Sequence, residues 1–263
     1  MNMVEIVMLI MAGLMVGFIN TLAGGGSIVS ISLLMLLGLP PDVANGTNRV
    51  AIAIQTLTAS ASFRQQKVLP LEKSLKLAFP AILGSLIGAW VAADINEEIL
   101  QIAIGVIMLV MLVFILFSPQ KYIYGRANIS DRPLTWKHFI IFFVIGIYGG
   151  FIHLGIGYFL LIGIVGSAGF DLVKANAIKV FIVLAYTPFT ILVFLLNGQI
   201  EWGYGLVLAI GAVTGAFIAS RLAVSRGVGF VKWVIVAVIL LTAGEMFGFY
   251  DFKTLFSSLI HNQ

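Results

Sequence analysis

Two basic residues stand inside otherwise apolar sequence, and they set the chemistry to be explained. Arg49 closes the run A-N-G-T-N-R that begins at Ala44, and Lys179 closes A-N-A-I-K from Ala175. Arg49 follows Asp42 by seven residues and Lys179 follows Asp171 by eight, roughly 10 and 12 Å of helical rise. A Lys or Arg at the centre of a membrane helix costs about 2.5–3.5 kcal/mol on insertion scales. Two such cations with no evident buried acidic partner imply that an anion completes the site. Asn45, Thr47, Asn48 and Asn176 are placed to donate hydrogen bonds to it. Each cationic run is preceded by a glycine break, Gly24-Gly25-Gly26-Ser27 in one case and Gly155-Ile156-Gly157 in the other. A helix that starts at such a break presents unpaired amides carrying partial positive charge, and glycine lets a ligand approach the backbone closely. Two half-helix N-termini near a membrane midplane are a known way to hold an anion. His153, Tyr186 and Thr187 are candidates for the pathway or for proton coupling. The competing reading is that Arg49 and Lys179 snorkel to the interface or pair with Asp42, Asp171 or a lipid phosphate, and that His153 is a packed side chain.

Composition sets the medium in which these residues work. The chain of 263 residues is 60% hydrophobic and 10% charged, with mean hydropathy +1.10. Several runs reach the roughly 20 apolar residues needed to cross about 30 Å of hydrocarbon. The sequence therefore describes an all-α polytopic membrane protein, with the lipid bilayer as its partner and the cell inner or plasma membrane as its place. Its net charge of +4 reflects basic cytoplasmic loops rather than a nucleic-acid partner. With no cysteine there is no disulfide, thiolate metal site or thiol catalysis. Nothing points to a cofactor or a metal.

Hydrophobic elements fall at about 4–22, 27–37, 42–62, 74–93, 97–117, 137–153, 157–166, 171–196, 203–223 and 228–248. The second and seventh are half the length needed to span. They occupy matching places because the chain repeats itself at a spacing of 131: Gly24 falls on Gly155, Gly26 on Gly157, Gly38 on Gly169, Asn45 on Asn176, Thr56 on Thr187 and Gly84 on Gly215. One transmembrane domain thus consists of repeat one (1–117), a polar linker (118–136), repeat two (137–250) and a short tail (251–263). Pro80 and Pro188 fall inside predicted spans and are expected to kink them. Gly84-x-x-x-Gly88 and Gly211-x-x-x-Gly215 predict close helix packing. Trp90, Trp136, Trp202 and Trp233 mark the membrane interfaces.

Lys and Arg orient the chain. Arg64, Lys67 and Lys73 mark one loop as cytoplasmic, Lys121, Arg126, Arg132 and Lys137 the linker, and Arg221, Arg226 and Lys232 the segment after 220. The equivalent loops at 63–73 and 197–202 then lie on opposite sides, so the repeats are inverted. The simplest arrangement has 4–22 with 27–37, and 137–153 with 157–166, each entering and returning on one side. Three full crossings per half follow, with both termini outside. Four crossings per half, giving parallel repeats, is the alternative.

The pattern G-F-x-N-x-L-A-G-G-G-S, followed by a short apolar run, G-L-P-P and A-N-G-T-N-R, resembles the TauE/SafE sulfite exporter family of bacterial and archaeal membrane proteins. The likeness extends over the whole chain as a duplicated unit. It implies about seven or eight transmembrane segments and movement of sulfite, sulfonates, sulfoacetate or related anions. It directs attention to Gly24–Ser27, Asn45, Thr47, Asn48 and Arg49. The second copy departs from the first, with Ile156, Ala177 and Ile178 where the first has Gly25, Gly46 and Thr47. The expectation is a secondary transporter for a small anion, working by alternating access and compatible with a homo-oligomer. A passive anion channel and a membrane scaffold or assembly protein are the alternatives. An enzyme lacks a constellation of nucleophile, paired carboxylates or metal ligands.

Overall fold

The structure is a computed structural model that describes residues 1–104, 106–107 and 134–246, backbone only at 228, 232 and 235–246. Among the described residues there are helices and no strands. In chain order they are α1 (Met3–Leu22), α2 (Ser27–Leu36), α3 (Pro41–Gln65), α4 (Leu71–Asp94), α5 (Trp136–Phe151), α6 (Ile156–Ile162, continuing through a π-helical turn at Gly163–Ser167), α7 (Leu172–Leu196) and α8 (Trp202–Met246). Residues 97–104 and 106–107 are also helical. The rest of the expected 97–117 span, most of the linker and the tail lie outside the described residues, and so does the side chain of Lys232.

Local chemistry explains where the helices begin and end. Asn2 and Glu5 form a reciprocal capping box on α1, with Glu5 N donating to Asn2 Oδ1 at 2.8 Å and Asn2 N to Glu5 Oε2 at 3.0 Å. Pro41 opens α3 at a position where its missing N–H costs nothing. Asp171 caps α7 by accepting from Val173 N and Lys174 N. Left-handed residues end the elements: Gly24, Gly38 and Lys67 in the first half, Gly155, Gly169 and Gly198 in the second. Each of the second set lies 131 positions after its counterpart. The bounds of α3, moved by 131, are the bounds of α7. Pro80 and Pro188 lie within continuous helices, whereas α8 is broken at Gly227, whose φ is 70° and ψ −167°.

Packing gives the directions. Gly13 and Gly17 of α1 press on the backbone of Leu208 and Ala212, while Gly211 and Gly215 of α8 press on Ile10, Leu14 and Phe18. Residue numbers rise together, so α1 and α8 run parallel. Gly84 and Gly88 of α4 meet Phe143, Ile147 and Phe151, and Gly146 and Gly150 of α5 meet Ala81 and Ser85, so α4 and α5 are parallel too. A Cβ at any of these glycines would land on a carbonyl of the neighbouring helix; the contacts are backbone to backbone. Gly146 meets Ala81, which the spacing of 131 places on Ala212, and Ala212 is the contact of Gly17, so Gly146 packs in the place of Gly17, 129 positions on rather than 131. The first helix of the second half is therefore shifted by two residues, which a gapless alignment hides.

The central pair is α3 and α7. Gly46, near the start of α3, faces Phe194 and Gln199 at the end of α7, so these two run antiparallel. Helix α3 runs parallel to α8: Thr47 Oγ1 accepts from Glu201 N at 2.9 Å, and Ser220 Oγ donates to Ser62 Oγ at 2.7 Å. Helix α7 runs parallel to α4, with Lys73 over the Phe170 ring at one end and Gln199 Nε2 donating to Ala93 O at the other. One set of directions is thus α1, α3 and α8; the opposite set is α4, α5 and α7. The same end carries Arg64, Lys67 and Lys73 together with Arg221, which bonds Gln65 at 2.5 Å. Four helices, at Met3–Leu22, Leu71–Asp94, Leu172–Leu196 and Trp202–Gly227, are long and apolar enough to cross a membrane. All four predicted interfacial tryptophans are exposed, Trp90, Trp136 and Trp233 by 69–70%.

Candidate functional site

The two cations are buried among helices, not extended towards an interface. Arg49 is 0% exposed and Lys179 2%. Arg49 Nη1 donates to Gly149 O at 2.6 Å and Nη2 to Gly150 O at 2.8 Å, with Asn45 Oδ1 at 3.4 Å. Its guanidinium stands 5.5 Å from the centroid of Phe194. Lys179 Nζ donates to Asn176 Oδ1 at 2.6 Å and to Thr21 O at 3.0 Å. Gly149 and Gly150 lie in the last turn of α5, and Thr21 in the last turn of α1. Each half therefore sends a cation from its third helix to the C-terminal end of the other half's first helix, where unpaired carbonyls carry partial negative charge.

These carbonyls accept from the two cations and carry no formal charge to balance theirs. A hydrogen bond to a charged group contributes about 1.5–3 kcal/mol net, whereas removing an ion from water costs several kcal/mol even after relaxation. Ion pairs among the described residues join Glu5, Glu72 and Asp171 to Met1, Lys76 and Lys174, near helix ends. None reaches Arg49 or Lys179, so neither Asp42 nor Asp171 neutralises them. The centre of the molecule holds a net positive field.

Beside Lys179 is a cavity of about 20 Å³, lined by Asn20, Gly24, Gln55, His153, Gly157 and Lys179 among others. The two glycine breaks meet there: Gly24 lies against the backbone of Gly157, leaving no room for a side chain on either. His153 Nδ1 and Tyr186 OH are 3.0 Å apart. Several buried polar atoms have no protein partner, including Asn20 Oδ1, Gln55 Oε1, Asn48 Nδ2, Asn176 Nδ2, Tyr158 OH and Arg49 Nε.

The other expected site residues are distributed around this centre. Asn45 Nδ2 donates to Phe151 O at 2.9 Å, tying α3 to the end of α5. Asn48 Oδ1 accepts from Ser30 Oγ at 2.7 Å, and Ser27 Oγ accepts from Asn20 Nδ2 at 3.3 Å, so α2 is fastened to both α1 and α3. Thr47 is turned away to the start of α8. Thr187 Oγ1 donates within its own helix to Val183 O. Gly25 packs on the Tyr158 ring and Gly26 on Val16 and Asn20. Helix α6 has seven residues before its π turn, against the ten of α2. Sequence reasoning did not single out Asn20 or Gln55. At the spacing of 131 Gln55 corresponds to Tyr186, whereas His153 lies between the end of α5 and Gly155 and has no counterpart in the first half. His153 of one half and the amides Asn20 and Gln55 of the other line the same cavity.

Comparison with known proteins now adds to the geometry. The model of the sulfite exporter TauE/SafE family matches residues 9–246. The chain belongs to that family. A "probable membrane transporter protein ORF9" from Sinorhizobium is 27% identical over 88% of this chain and 87% of its own length. The Escherichia coli K12 protein YfcA, also named a probable membrane transporter protein, is 28% identical over 88% and 85%. YunE of Bacillus subtilis is 24% identical over 80% and 85%. No solved structure gives a significant match. Family and helices together make this a multi-pass membrane transporter, and the names of its relatives point away from an enzyme.

Proposed function

We propose that the protein is a secondary transporter of a small oxyanion, of the sulfite, sulfonate or sulfoacetate class, working by alternating access in the cell inner or plasma membrane. The observation that carries this reading is the pair of buried cations, each without a carboxylate partner among the described residues, at the meeting point of two broken helices. Lys179 lines the cavity and is its first contact for the anion; Asn176, with an unused amide, and the backbone at Gly24 and Gly157 adjoin it. Gly25, Gly26, Ser27 and Gly155 belong to the same breaks. Arg49 plays a different part, holding the end of α5 against α3 and supplying field.

The arrangement supports two inverted repeats, 1–117 and 137–250, within one transmembrane domain. In this reading α1 with α2, and α5 with α6, each enter and return on one side, and α3 and α7 cross in opposite directions. A cavity of about 20 Å³ has space for a water molecule and not for a polyatomic anion. The halves must therefore move apart to admit substrate. A crevice of about 560 Å³ between α3 and α7 at the basic end, with Ser60 and Arg64 in its lining, favours access from that side. Ser60 lies one helical turn from Thr56 of the cavity.

Uptake of labelled sulfite into proteoliposomes, with sulfoacetate, taurine, lactate and sulfate as competitors, tests the reading. Saturable flux with counterflow is expected from the wild type, and its loss in folded Lys179→Gln. Unsaturable conductance would establish the channel alternative, and no flux of any anion would reject transport of this class.

A further inference from the structure

The anion needs a partner ion if it is to be moved against its gradient, and the central cavity contains a group that can supply one. We propose that Lys179 is the proton carrier of this transporter, loading and releasing one proton through water held between Asn20 and Gln55, so that proton and anion cross together. The inference rests on the anion-transport reading above.

Three observations converge. The Lys179 ammonium has two acceptors, Thr21 O and Asn176 Oδ1, for three N–H groups. Asn20 and Gln55, 8% and 2% exposed, line the same cavity and each has an oxygen without a partner. The cavity volume suits one water, which would take the third ammonium proton and bridge to these oxygens. Of the two buried cations only the lysine can cycle: a guanidinium keeps its charge in proteins, while a buried primary amine exchanges its proton readily.

The surroundings single out Lys179 for proton transfer. Helix α1 contributes only Asn20 and Thr21 to the lining, α3 only Gln55 and Thr56, and α6 only Ile156 and Gly157. The nearby titratable or charged groups are His153 between α5 and α6, Tyr186 on α7, Tyr158 on α6 and Arg49 on α3. His153 is engaged by Tyr186, and among the described residues no carboxylate lines the cavity. The cycle balances. The protonated amine binds the anion, and both are carried across. On release the N–H bond breaks, the proton passes to the cavity water and on to bulk, and the neutral amine returns without uncompensated charge. It takes one proton from the water on the starting side.

The test uses the full-length protein in proteoliposomes. Counterflow of sulfoacetate is measured at equal pH, then its accumulation under an inside-alkaline gradient with pyranine in the lumen. Wild type is expected to perform both, and the lumen to acidify as the anion enters. Lys179→Arg is expected to slow counterflow, and the remaining flux to ignore the gradient. Lys179→His restores a titratable cation and is expected to move the pH profile of accumulation to lower pH. Melting curves in detergent establish that the variants fold. Wild-type counterflow indifferent to the gradient, gradient-driven accumulation persisting in Lys179→Arg, or an unmoved profile in Lys179→His would each overturn the inference and leave the anion site standing. No wild-type counterflow with either sulfoacetate or sulfite would overturn both.

Discussion

The two halves hold their cations in opposite ways. Arg49 is gripped by two carbonyls, an asparagine and an aromatic face. Lys179 has one carbonyl and one asparagine, and borders the cavity. Both reach across to the first helix of the other half, yet one contact is built to stay and the other to be exchanged. In the proposed transporter the two halves divide the labour: the guanidinium, planar and permanently charged, fixes a joint, and the flexible amine takes the site that must change partners.

Substitutions that break this contrast should differ most where the partners differ. The largest effect is expected from Arg49→Met. It orphans the buried carbonyls of Gly149 and Gly150, at about 1–3 kcal/mol per buried group, and should be visible as a lower melting temperature in detergent. Lys179→Met is expected to cost less stability, under about 1 kcal/mol, because cavity water reaches Thr21 O and the lost bonds are offset by removing a buried charge. It should nevertheless abolish flux. A melting temperature that falls further for Lys179→Met than for Arg49→Met would reverse the assignment. Next comes the asparagine pair. Asn45→Ala removes a tie to Phe151 O as well as an acceptor for Arg49, and should destabilise by about 1–2 kcal/mol. Asn176→Ala removes only the acceptor of Lys179, and should act mainly on the apparent affinity in flux measurements. Smallest is Tyr186→Phe, which deletes one hydrogen bond to His153 and should cost about 1 kcal/mol or less, with flux retained.

Much of the fold is legible in the sequence because lipid makes it so. Every element among the described residues lies within a few positions of its hydrophobic run, and the half-length runs are recognisable as α2 and α6. The spacing of 131 recurs in the left-handed turns. What sequence hides is which surfaces meet. Arg49 and Gly149 are one hundred residues apart, and nothing local tells that a helix end will supply the carbonyls. Asn20 and Gln55 read as incidental polar residues until α1, α3 and α7 converge on one cavity. Gly13 and Gly17 are inconspicuous in an apolar helix, and only their packing against Leu208 and Ala212, set beside that of Gly146 and Gly150 against Ala81 and Ser85, reveals the shift between halves.

Those glycine seams carry a consequence for how the chain is made. Helix α1 leaves the ribosome before the other described helices, and the groove around Gly13 and Gly17 fits α8, whose matching residues are about two hundred positions later. At about 5–20 residues per second that is a wait of about 10–40 s with the groove unfilled in the bilayer. Helices α4 and α5 meet much sooner. Of the two glycine seams the one begun earlier is thus the later to close, and membrane quality control has its longer look at this protein there.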